Sequence, residues 1–335
     1  MTAGGGGGPV LVTGASGFVG RWVALALAER GYAVRLLLRE PSRLPAELAG
    51  MEVARGDLTD PGSLRIALVG CKSVVHCAAD YRLALGPGDF REMVRVNVGG
   101  TQSLLQAAAM AGVERLVHCS TVGTLHFTRS GEVRTELDRA ASAAELAGPY
   151  KRTKWAAERL ALDFPGPPDV VVVQPSTPLG PGDHRPTPTG AVIRDFLGGR
   201  IPAVVDTGLN LVDVEAVGRG HVLALEQGRP GRSYILGDRN WTLAQLLSEV
   251  ARLAGVRAPG WRVPIALGYA AAAASELQGR LLRRAPTIPL TAVKMASRPM
   301  FVSSERARSE LGWDPGDLQR SLRLAVTELG PAEGR

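Results

Sequence analysis

The chain has 335 residues, 45% hydrophobic and 21% charged, which at roughly 100–200 residues per domain is room for two packed units or one large α/β unit. Its 41 glycines and 23 prolines exclude collagen, coiled coil and wholesale low-complexity disorder, and its three cysteines, Cys71, Cys77 and Cys119, lie in apolar runs and read as buried thiols of a reducing compartment. The net charge of +7 is carried almost wholly by arginine, yet the basic residues are dispersed and lack aromatic interleaving, which argues against nucleic-acid binding.

Residues 1–8 hold five glycines and neither a charged nor an apolar leader, so they read as a flexible tail rather than a secretory signal. Val10–Thr13 is a short β-branched run ending at Gly14, and residues 21–30 then show helical periodicity up to Gly31: strand, turn, helix. Further strands are expected over 33–38, from Glu52 to Asp57, over 73–77, Arg115–Cys119 and 170–174. Helical patterns separate them. Six strands alternating with helices predict the α/β class, a doubly wound parallel sheet of the Rossmann type that binds its ligand at the carboxyl ends of the strands.

After Pro175 the pattern changes to Pro and Gly clusters over 175–190, followed by helices such as 242–254. The expected division is a dinucleotide-binding domain over 9–175 and a smaller C-terminal substrate lobe over 176–330, from which Ser233–Leu236 can rejoin the main sheet. The apolar stretch 263–277 is about fifteen residues long and carries Glu276, short of the ~20 that cross a bilayer. A cytoplasmic protein without a transmembrane segment is expected, with peripheral membrane contact left open.

Gly14, Gly17 and Gly20 stand in TGASGFVG, directly after the first strand and opening the first helix. Glycines permit the tight turn and close backbone approach, and the helix N-terminus offers free amides to a pyrophosphate. Gly14, Ser16, Gly17, Phe18, Val19 and Gly20 are therefore the candidate phosphate loop. An acidic residue ending the second strand suits the ribose hydroxyl of NAD(H), and an arginine the 2′-phosphate of NADP(H). That strand ends in Arg39, followed by Ser42 and Arg43, so NADP(H) is preferred, with NAD(H) still admissible. Asp57 and Leu58, in GDLTD, are candidates for the adenine edge, although Asp57 reads equally as a loop or helix-start carboxylate.

Tyr150 and Lys154 stand at i and i+4 in YKRTK, at the head of a helical stretch running to Leu162, so phenol and ammonium share one helix face. An adjacent cation and a positively charged nicotinamide favour the phenolate and fit Tyr150 to proton exchange with a carbinol. The fifth strand runs into Ser120 and Thr121, which puts hydroxyls where the site is expected. Asn97 is a polar residue in an apolar helical stretch, either bridging through water to Lys154 or satisfied locally. The histidines show no HxH or HExxH spacing and there is no CxxC, so no metal site is expected. A GxSxG elbow is also missing, which leaves serine hydrolysis unsupported.

Together, TGASGFVG, GDLTD, HCAAD, NVGGT, CST and YKRTK resemble the extended short-chain dehydrogenase/reductase family, over almost the whole chain. Within it, QPSTPLGPGDHRPTPTG, VDTGLNLVDVEAVGRGHVLALEQG and SSERARSELGW are most similar to the hopanoid-associated sugar epimerase group, itself similar to dihydroflavonol 4-reductases. The resemblance implies Thr121 as hydroxyl donor, Tyr150 as acid/base and Lys154 on the nicotinamide ribose. It also implies Ala78 and Ala79, and Pro175 and Ser176, as segments lining the cofactor. Val122 and Gly123 replace the acidic pair of the dehydratases of that family, which makes dehydration an unexpected activity. Arg298 and Pro299 match the diphosphate-binding arginine of nucleotide-sugar epimerases only in part.

The expected function is an NADP(H)-dependent oxidoreductase acting on a carbonyl or secondary alcohol of a small or lipid-linked molecule, in hopanoid lipid metabolism by the resemblance. The alternatives are a sugar epimerase that oxidises transiently with retained NAD, and a non-catalytic dinucleotide sensor. By position, the 186–190 segment and Asp213 are expected to border the substrate pocket, or else to stiffen a loop and cap a helix. The oligomeric state is open, a homodimer being the commonest closed form.

Overall fold

The computed structural model describes residues 8–82, 85–86, 88–201, 203–282, 284 and 290–330. Its first half alternates β1 (Val10–Thr13), α1 (Phe18–Glu29), β2 (Val34–Leu38), β3 (Glu52–Arg55), α2 (Pro61–Ala67), β4 (Ser73–His76), α3 (Asp89–Val94), α4 (Gly100–Met110), β5 (Arg115–Cys119), α5 (Pro149–Leu162) and β6 (Asp169–Pro175). Local chemistry sets several of these boundaries. The Asp60 carboxylate accepts from Gly62 N with Pro61 at the first helical position, which starts α2. One turn of π-helix, Arg95–Gly99, joins α3 to α4.

The second half adds β7 (Thr177–Leu179), α6 (Pro188–Leu197), β8 (Ala203–Val205), β9 (Gly208–Asp213), α7 (Val214–Gln227), β10 (Ser233–Leu236), β11 (Arg239–Thr242), α8 (Leu243–Ala254), β12 (Trp261–Val263), α9 (Ile265–Leu282), α10 (Leu290–Ala296), α11 (Glu305–Leu311) and α12 (Leu318–Leu329). Thr242 starts α8 through a capping box with Gln245.

Seven strands form one parallel sheet in the order β10-β6-β5-β4-β1-β2-β3. Because side chains alternate along a strand, each face is filled by every second residue. Val10, Val12, Val75, Val117 and Val173 pack on one face against Val23 and Leu27 of α1 and Val217 and Leu225 of α7. Leu11, Val74, Leu116 and Val172 pack on the other against Leu64, Leu104, Leu105 and Ala161. Apolar cover on both sides is the doubly wound condition. A third core, including Leu179, Ile193, Phe196, Leu211, Leu246, Val250 and Leu322, belongs to the smaller C-terminal lobe.

The halves of the chain interleave. β10 pairs parallel with β6, and α7 crosses α1 so closely that a Cβ on Gly218 would stand 2.5 Å from the Trp22 carbonyl oxygen. Of the apolar 263–277 stretch, Val263 ends β12 and residues 265–277 open α9, which runs on to Leu282 and leaves Leu267, Leu277, Leu281 and Leu282 exposed. No described helix is long and apolar enough to cross a membrane. The strand order reverses between β1 and β4, and at such a switch point the loops diverge and open a crevice at the strands' carboxyl ends.

Candidate active site

The turn from β1 into α1 forms one wall of that crevice. Gly14 has φ +76°, and a Cβ there would stand 2.6 Å from Ala78 N, so the turn and the β4 end are in backbone contact. A Cβ on Gly20 would stand 2.3 Å from the Gly14 carbonyl oxygen. Gly17 donates to that oxygen at 2.9 Å and precedes α1 with no side-chain cap. The first amides of α1 are therefore left for an anion. Ser16 and Gly17 are exposed at the turn, and Phe18 and Val19 are half-buried behind it.

On the other side of the switch point, Ala78 N donates to Thr13 Oγ1 at 3.2 Å. The half-buried Ala78 and Ala79 continue this floor. Pro175 is buried at the end of β6. Ser176 is tied by its amide to the Leu236 carbonyl at 2.9 Å, and its buried hydroxyl has no hydrogen-bond partner. A glycine cradle without room for a Cβ, uncapped helix amides and an orphaned hydroxyl form a set that fits a dinucleotide.

Arg39 is exposed immediately after β2. Burial would raise the Asp57 carboxyl, but hydrogen bonds from Thr59 and the charges of Arg39 and Arg95 hold it below its ordinary range. Asp57 Oδ1 accepts from Thr59 N at 2.8 Å and Thr59 Oγ1 at 2.7 Å, so half of this carboxylate closes its own turn. The Leu58 side chain points into the core, where a Cβ on Gly100 would stand 2.9 Å from it.

β5 and α5 bring together Thr121, Tyr150 and Lys154. Thr121 leaves β5 and caps a short turn, its Oγ1 accepting from Gly123 N at 3.1 Å. Pro149 opens α5, so Tyr150 lies in its first turn and Lys154 one turn further on the same face. The Lys154 ammonium is buried and donates to the Cys119 carbonyl at 2.7 Å. Desolvation pushes the Tyr150 phenol above its ordinary value, while the expected phenolate rests on a bound, positively charged nicotinamide as well as on the lysine. In this arrangement the ammonium is engaged by the end of β5, and burial dominates.

One further turn along α5, Glu158 is buried and accepts from Thr124 Oγ1 at 2.9 Å and Gln174 Nε2 at 3.1 Å, and also from Ser120 Oγ. It clamps the ends of β5 and β6 to α5. The 150, 154, 158 periodicity was a readable signal for it. Lys151 is also buried, its Nζ 3.2 Å from Met300 Sδ, a weak acceptor. Burial, with Arg298 nearby, brings its pKa down to about 8. Arg21, next to Gly20 in sequence, is buried and reaches the Gly182 carbonyl and Glu47, holding the 181–184 segment against α1. Its partners are remote in sequence and left no local signature.

Asn97 donates to the Asp80 carbonyl at 2.8 Å and Thr153 Oγ1 at 3.0 Å and accepts from Asp80 N at 2.7 Å, so of its two readings the locally satisfied one holds. Asp213 caps α7 and accepts from Ser321 Oγ at 2.7 Å, which makes it a capping carboxylate. Within 186–190, Thr187 caps α6. An open groove of about 490 Å³ on α8 is lined by Trp241, Gln245, Arg252 and Arg262 among others, but those elements supply none of the groups above.

A doubly wound sheet with a glycine turn at its switch point and a Thr, Tyr and Lys cluster beside it defines a class of nicotinamide-dependent enzyme. Residues 10–237 match the model described as the NAD dependent epimerase/dehydratase family, and the chain belongs to that family. It is 38% identical over 322 residues to a dihydroflavonol 4-reductase-like protein of Synechocystis sp., covering 94% of this chain and 92% of that one. It is 33% identical over 321 residues to sterol demethylase protein B of Methylococcus capsulatus, covering 94% and 96%. The crystal structure of gox2253 superposes with a TM-score of 0.83 at 40% identity, covering 95% and 97%.

Proposed function

We propose that the protein is an NADP(H)-dependent reductase that interconverts a carbonyl and a secondary alcohol, with residues 9–175 as the dinucleotide-binding part and 176–330 mainly as the substrate lobe. When bound, the nicotinamide supplies or accepts the hydride. The Gly14 to Gly20 turn and the α1 amides hold the pyrophosphate, with Ser16, Phe18 and Val19 flanking it. Ala78, Ala79, Pro175 and Ser176 line the nicotinamide end, and Asp57 and Leu58 lie toward the adenine. The exposed Arg39 supports NADP(H), since its guanidinium suits a 2′-phosphate.

The observation that carries the proposal is the meeting of the β5 end with the head of α5: the buried Lys154 ammonium donates to the Cys119 carbonyl, two residues before Thr121, and Tyr150 lies one turn before Lys154 with its phenol raised by burial. A phenol held protonated at neutral pH is a proton donor to the oxygen of a carbonyl being reduced. The Thr121 oxygen accepts from Gly123 N, which leaves its own hydrogen free to donate to the same substrate oxygen. Lys154, one turn further along the same helix face, binds the ribose. Tyr150→Phe removes the proton donor and keeps the ring, so turnover is expected to fall by about 10²–10⁴-fold with dinucleotide affinity unchanged in a fluorescence titration; near-normal turnover sinks the assignment.

An apolar, lipid-class substrate in the hopanoid direction is supported by the likeness to a protein named for a sterol and by the exposed leucines of α9. The three cysteines are free thiols, in keeping with a cytoplasmic setting. Sugar epimerisation with retained NAD uses the same three residues, and the family's own description favours it as the second reading.

A further inference from the structure

Cys77 and Cys119 follow directly on His76 and His118, which are paired in the parallel register of β4 and β5. The two cysteines therefore stand side by side at the carboxyl ends of neighbouring strands. Their side chains point to the face of the sheet covered by α7, and His221 of that helix is fully buried there. The two sulfurs and a ring nitrogen of His221 lie within 4.8 Å of one another. We propose that Cys77, Cys119 and His221 bind one thiophilic divalent cation of the zinc class.

The donor set is of the right chemistry. The Val217 carbonyl sits 2.8 Å from His221 Nδ1, and a carbonyl only accepts, so that nitrogen carries the hydrogen. Nε2 is then left with its lone pair, buried and facing the Cys119 thiol. A ligating imidazole is commonly oriented by a backbone carbonyl on its far nitrogen in this way. With metal–sulfur distances of about 2.3 Å and metal–nitrogen distances of about 2.0 Å, tetrahedral ligand atoms stand roughly 3.5–3.8 Å apart, so closure needs side-chain shifts of about an ångström.

Charge fits as well. Two thiolates and a neutral imidazole around a divalent cation sum to zero, so the loaded site adds no net charge to the layer. Binding releases the two thiol protons to solvent, and no electron changes hands. The ion joins α7 to the ends of β4 and β5, directly beneath Ala78 and the carbonyl that holds Lys154. The inference stands independently of the reductase assignment.

The test takes the reduced, metal-stripped full chain and titrates it with Co²⁺, then Zn²⁺. One equivalent per chain is expected, with a thiolate-to-cobalt charge-transfer band that zinc displaces, and a zinc-dependent rise in melting temperature. Cys77→Ser, Cys119→Ser and His221→Gln should each weaken zinc binding at least ~10-fold, and Cys71→Ser should leave it unchanged. A wild-type chain that takes up no cobalt under reducing conditions overturns the proposal without recourse to any variant. So does uptake that survives all three substitutions.

Discussion

His76 shows how a buried group beneath the crevice couples its geometry to pH. Its Nδ1 lies 2.7 Å from Thr13 Oγ1 and its Nε2 3.1 Å from Thr101 Oγ1. Thr101 donates to the Asn97 carbonyl at 2.6 Å, so it accepts from Nε2–H, and Nδ1 accepts from Thr13. Burial, with Lys154 nearby, drops the imidazole from 6.5 to about 3. Between those values the unfolded chain binds the extra proton and the folded chain does not. This contribution to stability is therefore complete above pH 6.5 and is lost as pH falls toward 3, in total roughly 5 kcal/mol at 1.36 kcal/mol per unit. A His76→Gln chain should show a shallower loss of stability than wild type between pH 6.5 and 3 in denaturant titrations. Parallel curves would show that His76 is not depressed. Tyr150, Lys154 and Thr121 were legible in the sequence because an i, i+4 pair and a strand end are local patterns. Glu158 shares the 150, 154, 158 spacing, but the groups it binds are distant in sequence, and Arg21 and the Cys77, Cys119 and His221 cluster were not assembled because their partners meet only in three dimensions.

Among the elements, the inner strands of the first half were readable because strands buried on both faces give continuous apolar runs, whereas the edge strand β3, Glu52–Arg55, is only half-buried at its middle. The short strands β7, β9 and β11 form a separate sheet in which β11 is antiparallel to β9, and their three to six residues carry too little pattern to distinguish from loop. The β1 to α1 turn makes the sharpest prediction at this scale. Gly14→Ala would force a Cβ into backbone 2.6 Å away at a positive φ, with no flexible side chain able to yield. Dinucleotide binding should be lost or weakened by at least tenfold while far-ultraviolet circular dichroism stays native. Affinity equal to wild type in isothermal titration would show that this turn is not the phosphate cradle.

At the scale of the molecule, the chain crosses between its two parts more than a boundary at 175 suggests, since α7 and β10 complete the main sheet's layers from the second half. α9 stands apart from this packing. Leu267, Leu277 and Leu281 fall on one side of it at 3.6 residues per turn and are 60%, 60% and 76% exposed, and the whole chain carries a charge of +7. Peripheral contact with an anionic lipid surface is the expected consequence. The chain should co-sediment with phosphatidylglycerol vesicles at low salt, and Leu277→Glu with Leu281→Glu should reduce the bound fraction severalfold. Equal sedimentation by that variant would remove α9 from the account.

The central claim is an exchangeable NADP(H) site serving net carbonyl reduction, and the dinucleotide carried by the purified protein tests it most directly. The chain is isolated without added nucleotide and denatured, and any released dinucleotide is identified by chromatography with mass detection. The account predicts a largely empty site that then binds NADPH reversibly and prefers it to NADH. Stoichiometric, tightly held NAD would contradict it, overturning the assignment of Arg39 and establishing self-contained epimerisation as the better reading of Thr121, Tyr150 and Lys154.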